Sequence, residues 1–132
     1  MEKREVKELI TDAEKLYEEA LKEVKVDKIR NGAEKAWGAV VRATDALLVD
    51  RGMPFPTGPT AMRDRRDRLS KILLKEPELM KMGVWERFHA RESDLHGRCF
   101  YEGVCEPKEF ITLKIFETKD YLEDVKRLLH IM

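Results

Sequence analysis

The spacing of the apolar residues constrains the fold of this chain more than any other feature of its sequence. Near the N-terminus they recur at intervals of three and four, as Val6, Leu9, Ile10, Ala13, Leu16, Tyr17, Ala20, Leu21 and Val24. This spacing places them on one stripe of an α-helix. Most of the intervening positions are Glu or Lys. The pattern therefore predicts a long amphipathic helix.

The same spacing resumes after a short interruption and predicts a second helix that runs to about Leu48. Asp27 is the predicted N-cap, because its side chain can accept hydrogen bonds from the first backbone N–H groups. Small residues are frequent in this segment, namely Gly32, Ala33, Ala36, Gly38 and Ala39. They permit close approach to a neighbouring helix, so we expect the first two helices to form an antiparallel hairpin.

The segment RGMPFPTGPT, at 51–60, contains three Pro and two Gly and excludes a helix there. Three further helices are predicted after it. The first spans 61–75 with Thr60 as its cap, the second runs from Pro77 to Tyr101 and ends near Gly103, and the third begins at Pro107. The sequence thus predicts an all-α fold. Residues 1–132 are expected to form a single-domain up-and-down helical bundle of about five helices.

Charge and composition exclude several classes of protein. The 26 basic residues balance the 26 acidic ones, so net charge does not favour bulk binding to a polyanion. No apolar run approaches the roughly 20 residues of a membrane span, and the N-terminus is charged from its second residue. We expect no membrane association and a cytoplasmic location. The absence of Gln and the single Asn indicate a thermophilic source.

Two cysteines, Cys99 and Cys105, are expected to be unpaired thiols. A helix through both, with a rise of about 1.5 Å per residue, would separate their Cα atoms by about 9 Å, beyond disulfide reach. A helix end at Gly103 would leave a bridge open as an alternative. There is no Cys/His set with zinc spacing, and the half-motif Glu86-x-x-His89 has no second copy. We predict no metal site and no cofactor.

The predicted fourth helix breaks its own apolar pattern. Its apolar face is formed by Trp85, Phe88, Leu95 and Cys99. Glu92 lies in the middle of this face, His96 lies one turn later on its edge, and Arg91 lies on the opposite edge. A carboxylate on an apolar face needs a partner, and the i,i+4 spacing predicts that His96 is the partner of Glu92. Polar residues at such positions indicate a functional site or, alternatively, a structural ion pair.

An arginine-rich segment, MRDRRDRLSK, precedes this helix. Alternating Arg and Asp is typical of a solvated face of salt bridges. Phosphate contacts beside the fourth helix are the alternative, because guanidinium groups match phosphate geometry.

Two segments resemble a known family. The segments AEKAWGAVVRATDALL, at 33–48, and RESDLHGRCFYEG, at 91–103, are similar to archaeal PaREP-type proteins of the HEPN superfamily. The resemblance covers about 33–103. It implies a small bundle built from two helical hairpins, generally dimeric. Many members of the superfamily are metal-independent endoribonucleases, several are toxins, and others only bind nucleotides or RNA.

The signature of the superfamily is Arg, a polar residue, three further residues and His. Here Arg91, Glu92 and His96 match it. The resemblance implies that His96 transfers protons to or from the RNA 2′-hydroxyl and the leaving oxygen. It implies that Arg91 holds the scissile phosphate, and that Glu92 orients or tunes His96. Arg91 and His96 differ by about 140° around an α-helix, so a two-fold dimer with both motifs at its interface would bring them together.

Three functions remain open from the sequence. The first is a metal-independent endoribonuclease that acts on RNA through Arg91 and His96. The second is a non-catalytic module that binds a nucleotide or a partner protein, such as a cognate antitoxin. The third is a structural helical dimer in which Glu92 and His96 only satisfy each other.

We predict a homodimer, because the apolar faces of the first, second and fourth helices look too broad for one small bundle. Light scattering at micromolar concentration measures this directly. A mass close to that of one chain, 15.5 kDa, would contradict the prediction.

Overall fold

The computed structural model describes residues 2–130, and the described chain is helical with no β-strand. Its elements are α1 (Glu2–Lys25), α2 (Ile29–Asp50), α3 (Ala61–Lys75), α4 (Pro77–Lys81), α5 (Val84–Arg91), a π-helix that continues α5 (Glu92–Tyr101), and α6 (Lys108–Leu128). The all-α prediction is confirmed. Within these residues no helix is both long and apolar enough to cross a membrane.

Helices α1 and α2 form the predicted antiparallel hairpin. Glycine allows their close approach, because a Cβ atom at Gly32 would lie 3.3 Å from the Ala20 carbonyl oxygen. One turn further along α2, the Lys35 ammonium bonds the Glu19 carboxylate at 3.0 Å. The small residues of α2 therefore let this helix lie directly against α1.

Helix α6 runs antiparallel to α1. The Tyr17 hydroxyl donates to the Phe116 carbonyl oxygen at 3.2 Å, and Lys126 bonds Glu14 at 2.8 Å. Helix α6 also packs against α2 and runs parallel to it. At this contact the hydroxyl groups of Thr44 and Tyr121 share a buried hydrogen bond of 2.7 Å. Burial raises the pKa of Tyr121 to about 12.

The fourth long element, α5 with its π-helix, runs antiparallel to both α2 and α6. Arg87 near its start bonds Asp124 near the end of α6 at 2.6 Å, whereas Arg91 approaches the earlier Glu117 at 3.9 Å. Four long elements thus alternate in direction around one core. Helices α3 and α4 form the connection between α2 and α5.

The apolar faces that suggested a homodimer are covered within one chain. Trp37, Phe88 and Leu95 are 5%, 1% and 0% exposed. The faces of α2 and of the predicted fourth helix therefore give no argument for a dimer, and the dimer itself remains a prediction. The large apolar side chains of α6 that stay exposed are Phe110, Leu113 and Phe116.

The predicted continuous helix from Pro77 to Tyr101 is wrong. Gly83, at φ +72°, ends α4 and starts α5 in the left-handed region that favours glycine. From Glu92 the winding widens to the π form, in which each N–H bonds the carbonyl five residues earlier. The chain then leaves the helix at Gly103, also at positive φ, as the sequence predicted.

Three local expectations also need correction. Cys99 and Cys105 form a disulfide, because the turn at Gly103 brings their Cα atoms to 4.3 Å. Asp27 does not cap α2; it lies at φ +62° and pairs with Lys108. Thr60 precedes α3 as expected, but its hydroxyl bonds the Asp64 carboxylate rather than a backbone N–H group. Asp27 and Thr60 thus each pair with a side chain instead of capping the following helix.

A buried ion pair joins α3 to α2. Arg65 donates to both carboxylate oxygens of Asp45, at 2.7 and 3.1 Å, and the two residues are 6% and 2% exposed. Burial raises the pKa of Asp45, and the hydrogen bonds from Arg65 oppose this rise. Arg65 is thus the one arginine of the MRDRRDRLSK segment that is buried.

We expect Asp45→Ala to destabilise the fold by about 3–5 kcal/mol, because it leaves the Arg65 charge buried without its partner. Urea denaturation measures the change. The matched control is Asp67→Ala, which removes an exposed partner of Lys71 and should cost less than about 1 kcal/mol. Equal losses in both variants would contradict this interpretation.

Candidate functional site

His96 lies on the π-helix where it faces α2. Its Nδ1 atom lies 2.9 Å from a carboxylate oxygen of Glu34, and its side chain is 25% exposed. Within residues 2–130 no group forms a hydrogen bond with the Nε2 atom. One ring nitrogen of His96 is therefore anchored by a carboxylate, and the other has no partner among the described residues.

Aromatic rings surround this imidazole. The ring centroids of His96 and Trp37 lie 5.8 Å apart, and those of His96 and Phe100 lie 6.3 Å apart with nearly parallel planes. Glu34 and Trp37 belong to the segment AEKAWGAV, whereas His96 and Phe100 belong to LHGRCFYEG. The two segments that carried the family resemblance thus meet at His96.

Arg30 fixes the end of the helix that carries His96. Its Nε donates to the carbonyl oxygen of Phe100 at 2.6 Å, and its Nη2 donates to that of Tyr101 at 3.3 Å. These carbonyls have no partner further along the helix, so a cation at this end satisfies them. The Cys99–Cys105 disulfide holds the following loop against the same helix end.

Arg91 lies at the start of the π-helix and faces α6. It is 4% exposed; its Nη1 donates to the Arg87 carbonyl oxygen at 3.1 Å, and its Nη2 is 3.9 Å from Glu117. Its Nε is buried and has no partner. Burial lowers the pKa of Arg91, and the charge of Arg87 lowers it further. The guanidinium is therefore a buried cation with weak compensation.

A shallow pocket of about 280 Å³ lies between α5 and α6 at Arg91. Its charged lining residues are Glu86, Arg87, Arg91, Lys114, Glu117 and Asp120. The pocket thus carries both signs of charge.

Glu92 does not contact His96, contrary to the expectation from their i,i+4 spacing. Its carboxylate bonds Arg66 of α3 at 2.8 Å, and its other oxygen lies 4.0 Å from Nδ1 of His89. The wider π turn changes which residues share a face. Glu34, from another helix, takes the position beside His96 that the sequence assigned to Glu92.

The structure therefore separates the predicted trio. Arg91 faces α6, Glu92 faces α3, and His96 faces α2. Among the described residues no group of His, Cys, Asp and Glu side chains could hold a metal ion.

A carboxylate-anchored imidazole with one open nitrogen is suited to proton transfer. The carboxylate fixes the ring, while the open nitrogen accepts or donates a proton. Sequence reasoning missed Glu34, although this residue lies within a segment that the resemblance singled out. The position of the Glu34 carboxylate between the buried residues Ala33 and Ala36 could have indicated that it faces another helix.

The fold and the site define a small all-helical bundle protein with a polar pair at the contact between α2 and the π-helix. The chain belongs to the archaeal PaREP1/PaREP8 family, whose model matches residues 8–128. The resemblance to PaREP-type proteins is thereby confirmed. No match was found among curated proteins or among solved structures.

We expect neutral His96 to carry its proton on Nδ1, because Glu34 accepts a hydrogen bond from that nitrogen. Nitrogen-15 correlation spectra of the imidazole distinguish the two tautomers. Glu34→Ala should shift His96 toward a mixture of both. Glu19→Ala, which removes the partner of Lys35 on α1, is the control and should leave the spectrum of His96 unchanged. Predominance of the Nε2–H tautomer in the unmodified protein would contradict the assignment.

Proposed function

We propose that this protein is a HEPN-like, metal-independent endoribonuclease in which His96 performs the acid–base chemistry. The observation that carries the proposal is the 2.9 Å contact between Glu34 and His96, which leaves Nε2 of His96 open. The match of Arg91 and His96 to the superfamily signature supports it.

The reaction is a transfer of the phosphoryl group within the RNA chain. Nε2 of His96 takes the proton of a 2′-hydroxyl group as its oxygen attacks the adjacent phosphorus. The bond from phosphorus to the 5′-oxygen breaks, and that oxygen receives the proton that Nε2 of His96 took from the 2′-hydroxyl group. The products are a 2′,3′-cyclic phosphate and a free 5′-hydroxyl group. Glu34 acts as a positioning residue, because it holds the imidazole ring through Nδ1.

Arg91 holds the phosphate in this proposal. Its present acidic neighbour, Glu117, is 3.9 Å away and therefore a weak partner. A phosphate accepts two parallel hydrogen bonds from a guanidinium group and offsets its charge more fully. Arg91 thus exchanges a weak contact for a strong one as the substrate binds, and Glu92 stays with Arg66.

The oligomeric state and the cellular location follow from the same proposal. We infer a homodimer, as the superfamily resemblance implies, in the cytoplasm of a thermophilic archaeon. Two copies of the motif at a two-fold interface would place Arg91 and His96 from both chains around one substrate.

A non-catalytic module that binds a partner protein, for example as one half of a toxin–antitoxin pair, is the second candidate. The exposed apolar side chains of α6 favour it, because Phe110, Leu113 and Phe116 remain 40–51% exposed on one helix. The burial of Arg91 favours it too, since a guanidinium that is 4% exposed offers little surface to an incoming polyanion.

Cleavage of a labelled mixed-sequence RNA in excess EDTA tests the proposal. We expect products with cyclic phosphate ends, and we expect His96→Ala and Arg91→Ala to lower the cleavage rate at least about a hundredfold. His130→Ala is the matched control, because His130 is exposed near the end of the described chain and should leave the rate unchanged.

Circular dichroism and thermal melting establish that each variant is folded. Cleavage that persists in folded His96→Ala would overturn the assignment of His96. If none of the folded proteins cleaves RNA, the ribonuclease proposal fails and the partner-binding module takes its place.

A further inference from the structure

The C-terminal end of the π-helix presents an aromatic ring to solvent. Tyr101 is 77% exposed, more than either Phe110 or Phe116 on α6. It lies five residues after His96 on the same helix, and its backbone is fixed by a hydrogen bond from Arg30. An exposed ring on a rigid backbone is suited to contact with a flat partner.

Two guanidinium groups donate to backbone carbonyls at this end of the π-helix and in the loop that follows. Arg30 bonds the carbonyls of Phe100 and Tyr101, and Arg98 bonds the carbonyl of Glu106 at 3.1 Å. Neither forms an ion pair with a carboxylate in the part of the chain that the structure describes. A guanidinium has five N–H donors, so both retain donors for a further acceptor.

A short series of contacts links this surface to His96. The imidazole stacks on Phe100, and the Arg30 guanidinium lies 5.8 Å from the centroid of the same Phe100 ring. Arg30 in turn holds Tyr101. Phe100 and Arg30 therefore connect the backbone of Tyr101 to the imidazole.

We propose that Tyr101, Arg30 and Arg98 form a subsite for a nucleotide that flanks the cleaved bond in single-stranded RNA. The base stacks on the ring of Tyr101, and the free N–H groups of Arg30 and Arg98 bond the neighbouring phosphates. This subsite rests on the proposed ribonuclease function and names its substrate class. Only an unpaired strand can place a base on this ring, because the bases of a duplex are already stacked on one another.

The balance of charges favours stacking as the main source of affinity. Glu102 follows Tyr101 directly, Glu106 lies beside Arg98, and the whole chain has no net charge. Attraction between the protein surface and RNA is therefore small at physiological salt. A stacked base supplies affinity that salt does not screen and that depends little on the identity of the base.

The test measures binding separately from cleavage, with a short fluorescent 2′-O-methyl oligoribonucleotide that lacks the attacking hydroxyl group. We expect Tyr101→Ala to weaken binding about tenfold or more, as for other bases stacked on aromatic rings, and Tyr101→Phe to retain it. Phe116→Ala, which removes an exposed ring on α6, is the control and should bind as the unmodified protein does. A duplex of the same sequence should bind more weakly than the single strand.

Arg98 has its own measurable effect. We expect Arg98→Ala to reduce the slope of log affinity against log salt by about 0.7, the value for one phosphate contact on a single strand. An unchanged slope would remove Arg98 from the subsite.

The outcomes separate this subsite from the proposed function. If the unmodified protein cleaves RNA and Tyr101→Ala binds equally well, the subsite is overturned and the ribonuclease stands. If the single strand binds in a manner that depends on Tyr101 but RNA is not cleaved, the subsite stands and the catalytic proposal fails. If RNA is neither bound nor cleaved, both are overturned.

Discussion

Helix α2 is the element against which the other long helices are positioned. Alanine and glycine occupy much of its surface, so neighbouring helices approach its backbone closely, as α1 does at Gly32. Polar contacts then fix the neighbours in direction and register: Thr44 bonds Tyr121 of α6, Asp45 bonds Arg65 of α3, and Glu34 bonds His96 of the π-helix. Because these partners come from the same buried helix, a shift of α2 would alter the core and the candidate site together. The stability of the bundle and the geometry of the site are therefore coupled.

The π-helix is the second feature that shapes the site. Its wide turn removes the contact between Glu92 and His96 that an α-helix would make, and it sends these two side chains to α3 and α2. Long π-helices are uncommon, and contacts from outside the helix support this one. Arg30 supplies part of that support at the final carbonyls, and the disulfide of Cys99 restrains the loop that follows.

The candidate site was only partly predictable. His96 and Arg91 were found from a break in helical periodicity and from the family signature, since both depend on positions along one helix. Glu34 was missed because its contact with His96 joins residues 62 positions apart, which no local pattern reports. The pairing of Cys99 with Cys105 was mispredicted for a related reason: the turn at Gly103 decides the distance between them, and helical arithmetic assumes that no turn is present.

The sequence by itself determined that this chain is helical, where its long break at 51–60 lies, and that its first two helices form a close antiparallel hairpin. These properties follow from residue spacing, from Pro and Gly, and from side-chain size, which act over a few residues. Only the tertiary structure decided the partner of each polar side chain: Glu34 for His96, Arg66 for Glu92, and the α6 side of the bundle for Arg91. The physical reason is that a buried charge takes the best partner that the packed helices bring within reach, and that partner need not be close in sequence.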